Sequence, residues 1–188
     1  MLSQPVMIEQ VIVPLMHRIG DSWHEGTLRV AHEHLASAVV RTSLGSLSRG
    51  YALSPSAPSL VVATPTGQMH ELGALVVATT AASDGWRVTY LGPSLPAEEI
   101  AGAAHQGRAR AVALSIVYPG DDPFLRGELI KVRRGLGGGG VLLVGGQGSD
   151  AYRAVLDEIG AVWLADLAEF RKRLEVLRLR EPPAPQMS

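Results

Sequence analysis

The length, composition and charge of the sequence indicate a compact globular protein. Its 188 residues are 46% hydrophobic and include 21 glycines but no cysteine, which excludes disulfides, thiolate metal ligands and cysteine nucleophiles. The net charge of −1 provides no basic field for nucleic acid, so we expect no direct nucleic-acid binding. No signal peptide or 18-residue apolar span is present, which predicts a cytoplasmic protein without membrane contact.

Apolar periodicity predicts two helices at the N-terminus. Residues 5–22 follow the i, i+3, i+4, i+7 template, and a second helical face runs from Leu28 to about Arg49. Gly26 interrupts the pattern, and Thr27 is a candidate cap for the second helix. We expect residues 1–50 to form a small helical cap, followed by a linker rich in proline and serine at residues 51–58.

Alternating strands and helices follow the linker and predict a parallel sheet. The apolar runs are LVVATP, WRVTYLG, AVALSIVY, VLLVGG and AVWLAD, and the helical segments between and after them begin HELG, PAEE, DPFL, SDAY and LAEF. This pattern is typical of a Rossmann-like, flavodoxin-like α/β domain with five parallel strands and helices on both faces, here over residues 59–180. The proline-rich end, residues 181–188, is expected to be disordered.

A ligand of such a sheet binds in the loops at the carboxyl ends of its strands. These loops are TPTGQMHELG, LGPSLP, SIVYPGDD and VGGQGSD. The first loop has neither the GxxxxGK nor the GxGxxG pattern of a phosphate loop. A phosphorelay receiver is also disfavoured, because it needs acidic residues after the first and third strands, where ATPTG and SIVY stand.

The spacing of small residues and one histidine resembles that of the cobalamin-binding domain family. Its pattern, D-x-H-x-x-G, about 41 residues, S-x-L, about 27 residues, G-G, is matched by Gln68-x-His70-x-x-Gly73, Ser115-x-Val117 and Gly145-Gly146, with gaps of 41 and 27 residues. The resemblance implies that His70 is the lower axial ligand of cobalt. It also implies that Gln68, Met69, Gly73, Ser115, Val117, Gly145 and Gly146 bind the cofactor.

One departure from the family bears on function. The acidic residue that stands two positions before the histidine in the family is Gln68 here. An acid at that position tunes the cobalt through the imidazole in the enzymes of the family. Its replacement favours a sensor or binding module over an enzyme.

The N-terminal helices carry a second resemblance. Trp23, nine residues, then Glu33-His34 is similar to the W-x9-E-H signature of the light-sensing domain of CarH-type (MerR-family) adenosylcobalamin photoreceptors. By that resemblance the cap lies over the upper corrin face, and Trp23, Val30, Glu33 and His34 line the site of the adenosyl group. His24 matches the histidine that binds cobalt from above after photolysis.

Other interpretations of these histidines remain. A helix tryptophan and an E-H pair are commonly core and surface residues, and His32 has no role in the motif. A zinc site from His24, His32 and His34 is a further alternative, but steps of eight and ten residues point their imidazoles about 80° to either side along an ideal helix. They converge only if the corner at Gly26 brings them together.

The leading functional hypothesis is a B12-dependent photoreceptor in which light breaks the cobalt–carbon bond of adenosylcobalamin and changes cobalt ligation and helix packing. The alternative is a corrinoid shuttle subunit of a cobalamin-dependent methyltransferase. The related photocobilin-like proteins add a bilin, which here would be non-covalent because cysteine is absent. Only 22 residues precede Trp23, so a second copy, a partner subunit or upstream sequence is expected to complete the cap.

Overall fold

A five-stranded parallel sheet forms the centre of the fold. The computed structural model describes residues 3–47 and 54–179, so the expected tail at 181–188 and residues 51–53 of the expected linker lie outside the described residues. The strands follow the order β2-β1-β3-β4-β5, and every neighbouring pair is parallel. This is the flavodoxin-like order, with its switch point between β1 and β3, so the predicted fold class is confirmed. The strands are β1 (Ser59–Pro65), β2 (Arg87–Leu95), β3 (Ala111–Ser115), β4 (Val141–Gly145) and β5 (Val162–Trp163).

Helices cover both faces of this sheet. One face carries α4 (Leu72–Ser83) and α8 (Leu167–Arg178), whose small and aromatic residues pack on β1, β3 and β4. The other face carries α5 (Ala97–Gln106), α6 (Leu125–Leu136) and α7 (Arg153–Glu158), the last preceded by a 3-10 turn at Ser149–Tyr152. No helix within residues 3–47 and 54–179 is long and apolar enough to span a membrane.

Two N-terminal helical segments form a cap on the α4 and α8 face. The first comprises α1 (Gln4–Met7), a π-helical stretch (Ile8–Ile12) and α2 (Val13–His24), and the second is α3 (Val30–Leu47). Their buried residues pack against the outer side of α4 and the start of α8, forming one apolar cluster around Ile8, Ile12, Val40, Leu44 and Val76. The cap therefore lies outside the helical layer rather than on the sheet.

Some element ends differ from the prediction. Strand β3 ends at Ser115 instead of running to Tyr118, because the amide of Val117 donates to a side chain and Pro119 has no amide hydrogen. Helix α4 begins at Leu72, which leaves His70 in the loop. The predicted cap role of Thr27 is wrong: its hydroxyl donates to the Ser22 carbonyl (3.0 Å) and so satisfies the end of α2.

Candidate functional site

Three loops meet at the carboxyl ends of β1, β2 and β3, and the side chain of Gln68 holds two of them together. Gln68 is buried, its Oε1 accepts a hydrogen bond from the Val117 amide, and its Nε2 donates to the Pro119 carbonyl, both at 2.9 Å. The end of β2 is joined to the loop after β1 through Ser94, whose Oγ accepts a hydrogen bond from the Gly67 amide (3.1 Å) and whose own amide donates to Thr64 Oγ1 (2.8 Å). Both ends of the Gln68 amide are thus engaged in positioning the loop after β3.

His70 is exposed at the mouth of this group of loops. Its ring makes an edge contact with Tyr118, with ring centroids 6.0 Å apart and an interplanar angle of 84°. Because Gln68 fixes the backbone on either side of Tyr118, it orients this aromatic neighbour of His70 and not the imidazole itself. An exposed imidazole nitrogen is a suitable donor to a transition metal.

A cavity of about 360 Å³ lies between the sheet and the α4 and α8 layer, and Gly73, three residues after His70, lines it. This volume lies in the range of small-molecule sites. Its walls are largely apolar, with Val62, Ala113 and Leu143 from the sheet and Ala74, Val77 and Phe170 from the helices. Gln147, Asp150 and Asp166 add polar groups to its lining.

Small residues keep this cavity open at α4 and β3. A Cβ atom at Gly73 would lie 2.7 Å from Ser115 Oγ, closer than real Cβ contacts come. Ser115 is buried, and its Oγ has no hydrogen-bond partner among the described residues. Such an unpaired buried hydroxyl is uncommon in the absence of a ligand. Gly73 and Ser115 together form a narrow part of the cavity that a polar atom of a ligand fits.

The glycine pair at the end of β4 makes close backbone contacts. A Cβ at Gly145 would lie 3.2 Å from the Leu164 carbonyl oxygen, and one at Gly146 would lie 2.3 Å from that of Ile116. Gly146 also has φ of +101°, a conformation that side chains disfavour. Gly145 thus lets the segment after β5 approach, Gly146 lets the segment after β3 approach, and both glycines border the cavity.

These features fit a corrinoid whose nucleotide tail is displaced from cobalt. The arrangement supplies an exposed imidazole at His70, a largely apolar cavity that begins at Gly73 in the same segment, and the unsatisfied hydroxyl of Ser115 in the cavity lining. A flat aromatic base would fill the apolar part, and Ser115 would satisfy one of its heteroatoms. The residues that the spacing singled out are therefore brought to one place, with His70 at the mouth and the small residues around the cavity.

The residue after His70 ties the cofactor loop to the cap. Glu71 Oε1 lies 2.7 Å from Arg41 Nη2 on α3, and its Oε2 accepts a hydrogen bond from Tyr90 Oη (2.5 Å). Burial raises the pKa of the Tyr90 hydroxyl well above its usual range, and the bond to Glu71 acts in the same direction. Tyr90 thus stays a donor at neutral pH, leaving the other carboxylate oxygen for Arg41. Sequence reasoning did not find this contact.

The residues expected above the corrin lie on the exposed side of the cap. Trp23 is 43% exposed and Val30 is 53% exposed. Glu33 accepts from Ser37 Oγ (2.6 Å) and lies 3.0 Å from His34 Nδ1. The side chain of His24, the expected upper ligand, lies outside the described residues.

No cluster of three or more histidine, cysteine or acidic side chains that would hold a metal ion occurs among the described residues. His32 is exposed on α3. The zinc alternative depends on the side chain of His24, which lies outside the described residues, so it stays an alternative. The candidate metal ligand whose surrounding loops are described is His70.

Two family models match the chain. Both are described as B12 binding domains, one over residues 58–169 and the other over residues 5–48. Among solved structures, the chain resembles a cobalamin-binding protein from Desulfitobacterium hafniense (18% identity, 91% of this chain and 89% of that one, TM-score 0.55). It also resembles the monomethylamine corrinoid protein of Methanosarcina barkeri (19%, 86% and 78%, TM-score 0.63). At these identities the likeness shows the fold.

Two curated relatives from Myxococcus xanthus are more similar in sequence. The HTH-type transcriptional repressor CarH is 33% identical over 151 residues, which cover 80% of this chain and 50% of the relative. The HTH-type transcriptional repressor CarA is 40% identical over 106 residues, 56% of this chain and 35% of the relative. The chain therefore spans half or less of the length of these relatives. The family match over the sheet domain and the similarity to CarH show that the chain belongs to the B12-binding domain family and is close to the CarH type.

Proposed function

We propose that the chain is an adenosylcobalamin-binding light sensor, with His70 as the lower axial ligand and the cap as the moving part. The observation that carries this proposal is the connection between cap and cofactor loop, in which Arg41 of α3 pairs with Glu71, the neighbour of His70. A shift of His70 on a change of cobalt ligation would pull on the helix that forms the cap. That coupling serves a sensor, whose output is a change of shape.

The use of Gln68 supports the same proposal. An acid in this position would accept a hydrogen bond from the imidazole. The Gln68 amide instead makes hydrogen bonds with Val117 and Pro119. The site therefore holds His70 by loop geometry without a proton acceptor at residue 68. A methyl-transferring corrinoid protein cycles between cobalt states that need such tuning, so this substitution favours the sensor over the shuttle.

Bound adenosylcobalamin would supply a cobalt–carbon bond that green light breaks. In the dark, Trp23, Val30 and Glu33 would cover the upper face, the aromatic ring by packing and the carboxylate by hydrogen bonds to the adenosyl group. His24, one residue after Trp23, would provide a nitrogen donor once that group has left. The cap would then be attached to the cofactor from above as well as through Arg41.

The cap leaves room for a further partner. Val11 and Leu15 on the first helical segment and Leu35 and Val39 on α3 are largely exposed apolar residues, each pair four residues apart and so on one helix face. Such faces are typical of an incomplete bundle. We propose that a second copy, a partner subunit or further helices cover these faces.

Illumination of the holo-protein tests the proposed function. We expect green light to change the absorption spectrum of the adenosylcobalamin complex and to give a product that stays bound. The His24→Ala variant should bind in the dark like the parent but give a different lit spectrum, whereas His32→Ala should behave like the parent. An absorption band foreign to cobalamin in protein purified from cells would reveal a bilin.

Three results would contradict parts of this proposal. No spectral change under green light would reject the sensor. Methyl transfer from the bound corrinoid to a thiol or folate acceptor would favour the shuttle. A His24→Ala spectrum identical to that of the parent after light would place the upper ligand elsewhere.

A further inference from the structure

The cavity that suits the nucleotide tail has a wall that does not come from the sheet domain. Three residues of the cap helix α2, Val13, Met16 and His17, line it together with α4, α8 and the strand ends. They are spaced i, i+3 and i+4 and so lie on one face of the helix. The cap, which the resemblance places over the upper corrin face, therefore also borders the cavity below it.

This wall is held in place by contacts that need no ligand. Ile8 and Ile12, just before α2, are buried against Val76 of α4 and Leu44 of α3. Glu9 Oε1 lies 3.3 Å from Arg171 Nη1 on α8. The first helical segment is thus attached to both helices that flank the cavity, and α2 is positioned beside it by packing.

The chemistry of the wall suits the tail of cobalamin. A Met side chain is flexible and polarisable and makes favourable contacts with aromatic edges, so Met16 can adapt to the flat dimethylbenzimidazole base. Val13 extends the apolar surface along the helix, and His17 adds a group able to hydrogen-bond to the ribose or phosphate that follows the base. These three residues face a ligand with an apolar ring and a polar sugar phosphate.

We infer that the cap helix α2 is part of the nucleotide-tail site, with Met16 as a residue that selects a cobalamin carrying its tail. The inference rests on the proposed function to the extent that the tail occupies this cavity. It gives the cap a second contact with the cofactor, on the tail side. Binding of the nucleotide tail would then stabilise the position of the cap already in the dark state.

A pair of corrinoids that differ only in the tail tests this inference. We expect the Met16→Trp substitution, which fills the cavity from the cap side, to weaken binding of adenosylcobalamin at least tenfold in the dark. Binding of adenosylcobinamide, which lacks the nucleotide, should change less than twofold. The matched control is Arg18→Trp on the same helix, because Arg18 is exposed and does not line the cavity; it should leave both affinities unchanged.

A second variant covers the case in which tryptophan disrupts folding, which circular dichroism would report. Met16→Ala enlarges the cavity and removes contacts with the base, so it should weaken adenosylcobalamin binding about three- to tenfold and spare adenosylcobinamide. Equal losses for both corrinoids, or no loss for either in the folded variants, would overturn the inference. If the parent protein bound neither corrinoid, the proposed function itself would fail and the inference with it.

Discussion

Replacing Gly146 with alanine is expected to lower the free energy of unfolding by about 3 kcal/mol. The residue has φ of +101°, and its Cβ would lie 2.3 Å from the carbonyl oxygen of Ile116, a backbone atom that cannot rotate away. Relief would require the loops after β3 and β4 to separate, which would break the hydrogen bond from the Gly148 amide to the same carbonyl (3.0 Å). Denaturant unfolding followed by circular dichroism measures the change.

The matched control for this variant is Gly102→Ala on α5. Gly102 lies within a helix and a Cβ there would meet nothing within 4 Å, so alanine should stabilise the protein by about 0.5–1 kcal/mol. Opposite signs at the two glycines would separate local strain from any general effect of the substitution. A Gly146→Ala variant as stable as the parent would show that the loops relax at no cost.

The Gly73→Val substitution should reduce the affinity for adenosylcobalamin on the order of 100-fold, equivalent to about 2.7 kcal/mol of binding free energy. The first added carbon would already lie 2.7 Å from Ser115 Oγ, and the two methyl groups would enter the cavity or push Ser115 into it. A well-packed site accommodates added methyl groups only at a cost in free energy. Equilibrium titration followed by absorption in the dark gives the affinity.

The control here is Gly102→Val, which places the same side chain on the opposite face of the sheet. It should bind adenosylcobalamin like the parent. Thermal unfolding of the apo-protein would verify that Gly73→Val still folds. If a folded Gly73→Val variant bound adenosylcobalamin as tightly as the parent, the tail would not occupy the cavity between the sheet and α4.

The fold followed from the sequence because its signals are local. Four of the five apolar runs are ended by glycine or proline, and a helical segment follows each run, so the alternation alone indicates a parallel sheet. The element ends were less predictable. Whether Val117 continues β3 depends on Gln68, a residue 49 positions away whose side chain accepts a hydrogen bond from the Val117 amide.

The site was predictable only where spacing carries the information. His70, Gly73, Ser115 and the Gly145–Gly146 pair were predicted as site residues because parallel topology brings strand ends together and because the gaps match those of a known family. The partners of Glu71 and the cavity wall formed by Met16 could not be found this way. Both depend on how the cap packs on α4 and α8, and an amphipathic pattern shows that a helix has an apolar face without showing which surface it covers.

The central claim, that His70 supplies the lower axial nitrogen of a bound cobalamin, is tested most directly by paramagnetic resonance of the Co(II) form of the holo-protein. With natural histidine we expect hyperfine splitting from one axial ¹⁴N nucleus. Labelling the protein with ¹⁵N-histidine should convert this to the pattern of ¹⁵N, and His70→Ala should abolish the labelled signal. Splitting that is unaffected by histidine labelling in the parent, or ¹⁵N splitting that survives in labelled His70→Ala, would contradict the account.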